Sequence, residues 1–413
     1  MVSRCLCSKH NTFQDLEDVF FTTLTQRVSV FLRKIQLKDI EFFQKIIRFL
    51  KDRNIQAKFP IVVMRVFHNI FNKIISLENL VISWREFRIG KKNRRDTLIF
   101  EHGLEDNLWE LNRVLLDRTY KHSGYTSFFV QDPKVRHIHK ALVRDRVLHH
   151  AIVKHLNPIF EPTFIYDSYS CRIGKGTHRG VEAFTEHARQ VSKNWTIPCW
   201  VLKCDIRKFF ASIDHKVLLD VVFRNVGDLD ARCLINEVIS SFSSEFTIDP
   251  KEPKGLPIGN LTSQLFANVY LNEFDQFMKH QLKEKHYIRY ADDFVILHPQ
   301  RDHCIDIVKS INTFLVDIIK LELHPNKIHI RKFNQGVDFL GYVCFPHFVI
   351  PRDRTKDRIF KKVHDNILLY RRGQRTLESL GQSINSYFGI LSHSNSFELE
   401  QELENQIFFW LTE

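Results

Sequence analysis

The sequence predicts an α+β protein with a modest sheet and helical ends, on three observations. From 198 to 347, short β-branched runs alternate with helical segments. Between 12 and 83, apolar residues recur at three and four spacing: Phe13, Leu16, Val19 and Phe20, then Ile40, Phe43, Ile46, Ile47 and Leu50. The last sixty residues are helical in period and include the basic stretch RIFKKVHDNILLYRR. With 413 residues, 44% of them hydrophobic and 26% charged, the chain has enough material for a large core. Its 14 Gly and 12 Pro are too few for a loop-rich or disordered chain.

Composition narrows the function classes. The formal net charge is +12, which suits a polyanionic partner or a plainly basic surface. The eight cysteines contain no CxxC pair, which argues against a zinc site or a disulfide framework and points to a reducing compartment. No apolar run is long enough for a membrane span and no signal peptide is visible, so the expected location is the cytoplasm, away from membranes.

Each element follows in order. Thr12 with Asp15 opens the first helix, and polar breaks at 52–55 and Pro60 divide the first eighty residues. That segment is either a packing layer or a docking surface for RNA or a protein. Lys91, Lys92, Arg94 and Arg95 crowd beside Gly90, as a solvated loop or a nucleic-acid contact. Residues 125–146 read as two short strands around Asp132-Pro133, then a helix. Further strands are expected at 200–206, 286–290, 293–298, 326–332 and 338–345, and helices at about 215–225, 230–243, 261–282 and 303–320.

The stretch IRYADDFVIL, 288–297, sets Asp292 and Asp293 side by side between apolar flanks, where carboxylates repel each other and lose hydration. A third carboxylate, Asp205, ends the apolar run in WVLKCDIRKFF. Three carboxylates at neighbouring strand ends need cations, and Mg²⁺ takes oxygen ligands while leaving positions open for phosphates. Two such ions about 4 Å apart activate a hydroxyl and stabilise a leaving phosphate.

At this point the chain resembles the reverse transcriptase family, over roughly residues 84–395. The resemblance implies a right-hand polymerase fold. It assigns 1–83 to a helical N-terminal extension, 84–197 to the fingers, 198–347 to the palm and 348–413 to a helical thumb. Asp205, Asp292 and Asp293 are then catalytic, and with Ile206 they form the set for two Mg²⁺ ions, for which Mn²⁺ can substitute. Lys327, in LHPNK, resembles a lysine that protonates leaving pyrophosphate, or else is a surface lysine. Lys134, Arg136, Arg146 and Arg172 resemble fingers groups that hold the incoming triphosphate. Phe210, five residues past Asp205, is either a steric gate against a ribose 2′-hydroxyl or core packing.

The segment KGLPIGNLTSQLFANVYL, 254–271, resembles the motif beneath the nascent base pair, where Gly259 permits close approach. Most family members carry Gln before that Gly and Ser-Pro later. Ile258 and Gln264 depart from this and resemble the enzymes of diversity-generating retroelements, which are linked to error-prone copying. Phe339, Leu340, Gly341 and Tyr342 resemble the primer grip. Lys361, Lys362, Arg371 and Arg372 are thumb cations that neutralise duplex phosphates or simply face water.

The implied partners are an RNA template, expected to be a structured noncoding RNA, with dNTPs and a DNA product. An accessory protein or a second copy would dock through the extension. No RNase H domain or HNH nuclease is expected. Mutagenic copying and antiphage defence both stay open as roles, as does a silent nucleic-acid-binding protein on the same fold.

Overall fold

The computed structural model describes residues 65–131 and 134–412. The helical reading of 12–64, residues Cys5 and Cys7, and the Asp132-Pro133 turn lie outside the described residues.

The described chain opens with four helices: α1 (Ile70–Ile75), α2 (Leu77–Arg88), α3 (Arg95–His102) and α4 (Leu104–Leu116). Ser76 caps α2, its hydroxyl accepting from the Asn79 amide at 3.3 Å. Helix α2 runs through residue 83, where the sequence suggested a boundary. A hairpin follows, β1 (Tyr125–Gln131) and β2 (Val135–Ala141), then α5 (Val143–Phe160) and α6 (Thr177–Val191).

The centre holds β3 (Trp200–Asp205), α7 (Phe209–Ser212), α8 (His215–Phe223), α9 (Leu229–Ser240) and α10 (Leu261–Gln276). It continues with β4 (Tyr287–Tyr290), β5 (Asp293–His298), α11 (Arg301–Asp317) and β6 (His329–Lys332). Strands β3 to β6 form one antiparallel sheet in the order β4-β5-β3-β6. A smaller sheet, β7 (Val337–Phe339), β8 (Tyr342–Cys344) and β9 (Val349–Pro351), precedes α12 (Asp353–Arg371), α13 (Leu377–Leu391) and α14 (Phe397–Thr412).

Both faces of the central sheet are covered, which explains why its strands read as near-continuous apolar runs. Side chains alternate across a strand, so Val201, Val295 and Leu297 meet α6 through Val181, Phe184 and Ala188. On the next parity, Phe294 packs on Phe274 with ring centroids 5.0 Å apart, and Phe277 stacks on Phe314 at 4.1 Å. The three C-terminal helices have their own core of Ile359, Val363, Ile367, Leu380, Leu391 and Leu403.

Several expected elements are corrected. The run 338–345 is two strands, because Leu340 and Gly341 both take positive φ, 51° and 93°, and turn the chain between them. The expected strand at 326–332 begins as a 3₁₀ turn, Pro325–Lys327, where proline cannot donate to a ladder. Helix α10 ends at Gln276 and gives way to a π turn, Phe277–Gln281. Strand β9 lies beyond 347 yet pairs with β8, so this small sheet crosses the boundary expected there. Among the described residues no helix is long and apolar enough to cross a membrane. The cysteines Cys171, Cys199, Cys204, Cys233, Cys304 and Cys344 are free thiols.

Candidate active site

The central sheet brings the three aspartates together. Asp205, the last residue of β3, is the register partner of Asp293, the first of β5. Directly opposite residues share a face, so the two carboxyl groups are close enough for Asp205 to raise the Asp293 pKa. Tyr290 pairs with Asp293 across β4 and β5, leaving Ala291 and Asp292 as a two-residue turn. Ala291 has φ 53°, a left-handed conformation that costs a residue with a Cβ about 1–2 kcal/mol. The Asp292 carbonyl accepts from the Ile206 amide at 3.2 Å, which ties the turn to the end of β3.

Electrostatics make this a site of unbalanced negative charge. Burial raises the Asp292 pKa, and the Asp205 charge raises it further, against Lys327 and Lys134. Asp293 is also raised, chiefly by burial, with Asp292 and Asp205 adding to it and Lys203 opposing. Lys327 Nζ sits 2.7 Å from Asp205 Oδ1 and supplies a fixed cation on that side.

The donor set fits hard divalent cations, since every side-chain ligand is a carboxylate oxygen. Ile206 is buried, so only its main-chain carbonyl is available to a metal. Among the described residues no three His, Cys, Asp or Glu side chains are gathered tightly enough to enclose an ion.

The surrounding candidates divide into those that face the site and those that do not. Phe209 is buried, whereas Phe210 beside it is half-buried, its ring 5.3 Å from that of Phe209. Gly259 has φ 109°, and a Cβ there would stand 3.0 Å from the Ile138 methyl of β2. The His139 amide donates to the Ile258 carbonyl at 3.0 Å, and the Asn260 amide group donates to the His139 carbonyl at 2.8 Å. The hairpin is thus welded to the 258–260 segment. Gln264 is exposed on α10. Lys134 and Arg136 are exposed, and the Lys134 charge reaches Asp292.

Two residues expected to hold phosphate have protein partners in this structure. Arg146 pairs with Asp96 and lies 4.8 Å from the Phe87 ring. Arg172 bonds Glu161 at 2.8 Å and donates to the carbonyls of Ile165 and Ser168 at 2.7 and 2.9 Å. The Arg172 guanidinium is taken up by acceptors of its own segment, whereas Arg146, on helix α5, keeps its Nε without a hydrogen-bond partner. In the small hairpin, Phe339 and Tyr342 are buried, so Leu340 and Gly341 form its tip. Lys361, Lys362, Arg371 and Arg372, on and just after helix α12, are exposed.

Sequence reasoning missed Arg289. It is fully buried, and its guanidinium grips Asp275 through two bonds of 2.7 Å while donating to the Ala291 carbonyl at 3.2 Å. The available signal was a charged residue inside the apolar strand IRY.

The raised Asp293 pKa has a consequence for the metal-free protein. A carboxyl whose folded pKa exceeds its unfolded value favours folding below the unfolded pKa, and that contribution is lost as pH rises through the folded one. Asp293→Asn should therefore raise the melting temperature in EDTA, by a margin that grows from about pH 4 to about pH 8. A margin that is constant with pH would remove the repulsion account.

Residues 130–344, just over half of the 413, match the family model described as Reverse transcriptase (RNA-dependent DNA polymerase). Protein YkfC of Escherichia coli (strain K12) is 24% identical over 241 residues, covering 51% of this chain and 63% of that protein. Group II intron-encoded protein LtrA of Lactococcus lactis subsp. cremoris is 22% identical over 303 residues, covering 58% and 49%. The chain thus spans less than two thirds of either relative. The matched segment contains the whole carboxylate sheet, β3 through β6, and on that footing the chain belongs to the reverse transcriptase family.

Proposed function

We propose that this protein is an RNA-directed DNA polymerase that copies a structured noncoding RNA into DNA. One observation carries the reading: Asp205 and Asp293 face each other across β3 and β5, with Asp292 on the turn beside them. Two divalent cations, Mg²⁺ or Mn²⁺, held by Asp205, Asp292, Asp293 and the Ile206 carbonyl, would activate a primer 3′-hydroxyl and stabilise the departing pyrophosphate. Lys327 holds a proton at Nζ, 2.7 Å from Asp205, where the leaving group can take it. Lys134 and Arg136 bind the triphosphate as exposed cations on the hairpin.

Phe210 discriminates sugars. Its ring is left partly uncovered five residues past Asp205, and a 2′-hydroxyl would collide with it. Gly259 lets the template base pair approach the backbone, since a Cβ would already crowd Ile138. Ile258 cannot hydrogen-bond the pair as glutamine can, which supports relaxed base discrimination and a role in mutagenic copying. Leu340 and Gly341 support the primer end, and the exposed thumb cations follow the duplex.

Three outcomes follow for purified protein supplied with a primed RNA template, dNTPs and Mg²⁺. Asp292→Ala with Asp293→Ala should abolish incorporation while primer–template binding persists, and retained synthesis would sink the assignment. Phe210→Ala should raise ribonucleotide use relative to deoxyribonucleotide use by about tenfold or more, the scale of one steric contact. An unchanged ratio would make Phe210 packing alone. Ile258→Gln should lower the misincorporation frequency, read by sequencing the product, and an unchanged error spectrum would break the link to mutagenic copying.

A further inference from the structure

Arg289 has no part in the account so far, yet it is the largest fully buried side chain in the described structure. Its guanidinium makes five hydrogen bonds to four partners. Nε and one terminal nitrogen take the two Asp275 oxygens at 2.7 Å each. The same terminal nitrogen donates to Ser168 Oγ at 3.0 Å. The other donates to Asn268 Oδ1 at 3.3 Å and to the Ala291 carbonyl at 3.2 Å. The main chain adds to this. The Arg289 amide donates to the Asp167 carbonyl, and the Tyr169 amide donates to the Arg289 carbonyl, both at 2.9 Å.

Stability alone gives a weak reason for such a group. A buried ion pair loses nearly as much by desolvation as it gains, and apolar replacements of similar volume are often as stable. What an apolar replacement cannot do is donate to Ala291. That residue holds a left-handed φ of 53° without being glycine, so something must keep the turn in place. Only a planar guanidinium can take a carboxylate with two N–H groups and still have donors for a carbonyl and two side chains. A lysine ammonium has three donors at one point and cannot span Asp275 and Ala291 together.

We propose that Arg289 is a positioning residue for the polymerase reaction. It pins the Ala291 carbonyl, and so fixes the attitude at which Asp292 and Asp293 meet a cation. Through Ser168, Asn268 and Asp275 it references that attitude to the 167–170 loop and to helix α10. The inference rests on the polymerase reading given above.

Two variants test it in the full chain. Arg289→Lys keeps the charge beside Asp275 but loses the reach to Ala291. The double variant Arg289→Gln/Asp275→Asn neutralises both partners together, so neither leaves an unpaired buried charge. Each is first checked for a parental circular dichroism spectrum and a cooperative melt. In whichever folds, kcat for dNTP incorporation should fall about tenfold or more, the scale typical of groups that orient metal ligands. KM for primer–template should stay at the parental value. Binding of Mn²⁺ alone, read from the free-ion EPR signal, should weaken by a similar factor. Parental kcat and parental Mn²⁺ affinity in a folded variant would overturn the proposal. So would a parallel loss of kcat, primer–template affinity and melt cooperativity, which marks ordinary structural damage. If the parent makes no DNA on any RNA template, the polymerase reading fails, while the Mn²⁺ titration still decides the role of Arg289.

Discussion

The mutual repulsion of three carboxylates is the constraint around which this structure is arranged. Asp205, Asp292 and Asp293 stand at one end of a sheet whose two faces are both buried. The ionised forms of Asp292 and Asp293 lose hydration there, and burial raises the pKa of both. Lys327 neutralises part of Asp205. The remainder is a standing demand for cations, and a fold of lower energy would simply have put apolar residues there. Holding charge in an unfavourable place is the mark of a site selected for chemistry.

That demand explains the rigidity of the surroundings. The tip is fixed at the backbone by Ile206 and at the Ala291 carbonyl by Arg289. The strands beneath it are gripped by aromatic rings on one face and by α6 on the other. The hairpin that carries Lys134 and Arg136 is bonded to the Ile258-Gly259-Asn260 segment, so the cations expected to meet phosphates are referenced to the same frame. Repulsive groups stay where they are only when everything they could push against is already packed.

Much of this was legible in the sequence, and the parts that were not have identifiable causes. Strands β3, β4 and β5 were readable because burial on both faces writes continuous apolar runs. The doubled aspartate was readable because a charge in such a run has few bland explanations. The turn at Leu340-Gly341 was not, since leucine at positive φ has no sequence signal and Gly341 was read as a residue of the strand. The ends of α9 and α10 were overrun because apolar periodicity continues past Ser240 and Gln276 while the hydrogen-bond ladder changes. The pairing of Arg146 with Asp96 and of Arg172 with Glu161 was not legible, because those partners are set by tertiary structure rather than by spacing. Arg289 was hidden for the same reason, its carboxylate partner lying fourteen residues upstream on a helix.

The direct measurement of the central claim is where a cation goes. Crystals of the protein with primer–template, soaked in Mn²⁺ and recorded at the manganese absorption edge, would locate it by anomalous scattering. The account predicts peaks among the carboxylates of Asp205, Asp292 and Asp293, with Lys327 drawn away from Asp205. Peaks elsewhere, with Lys327 still paired to Asp205, would contradict it.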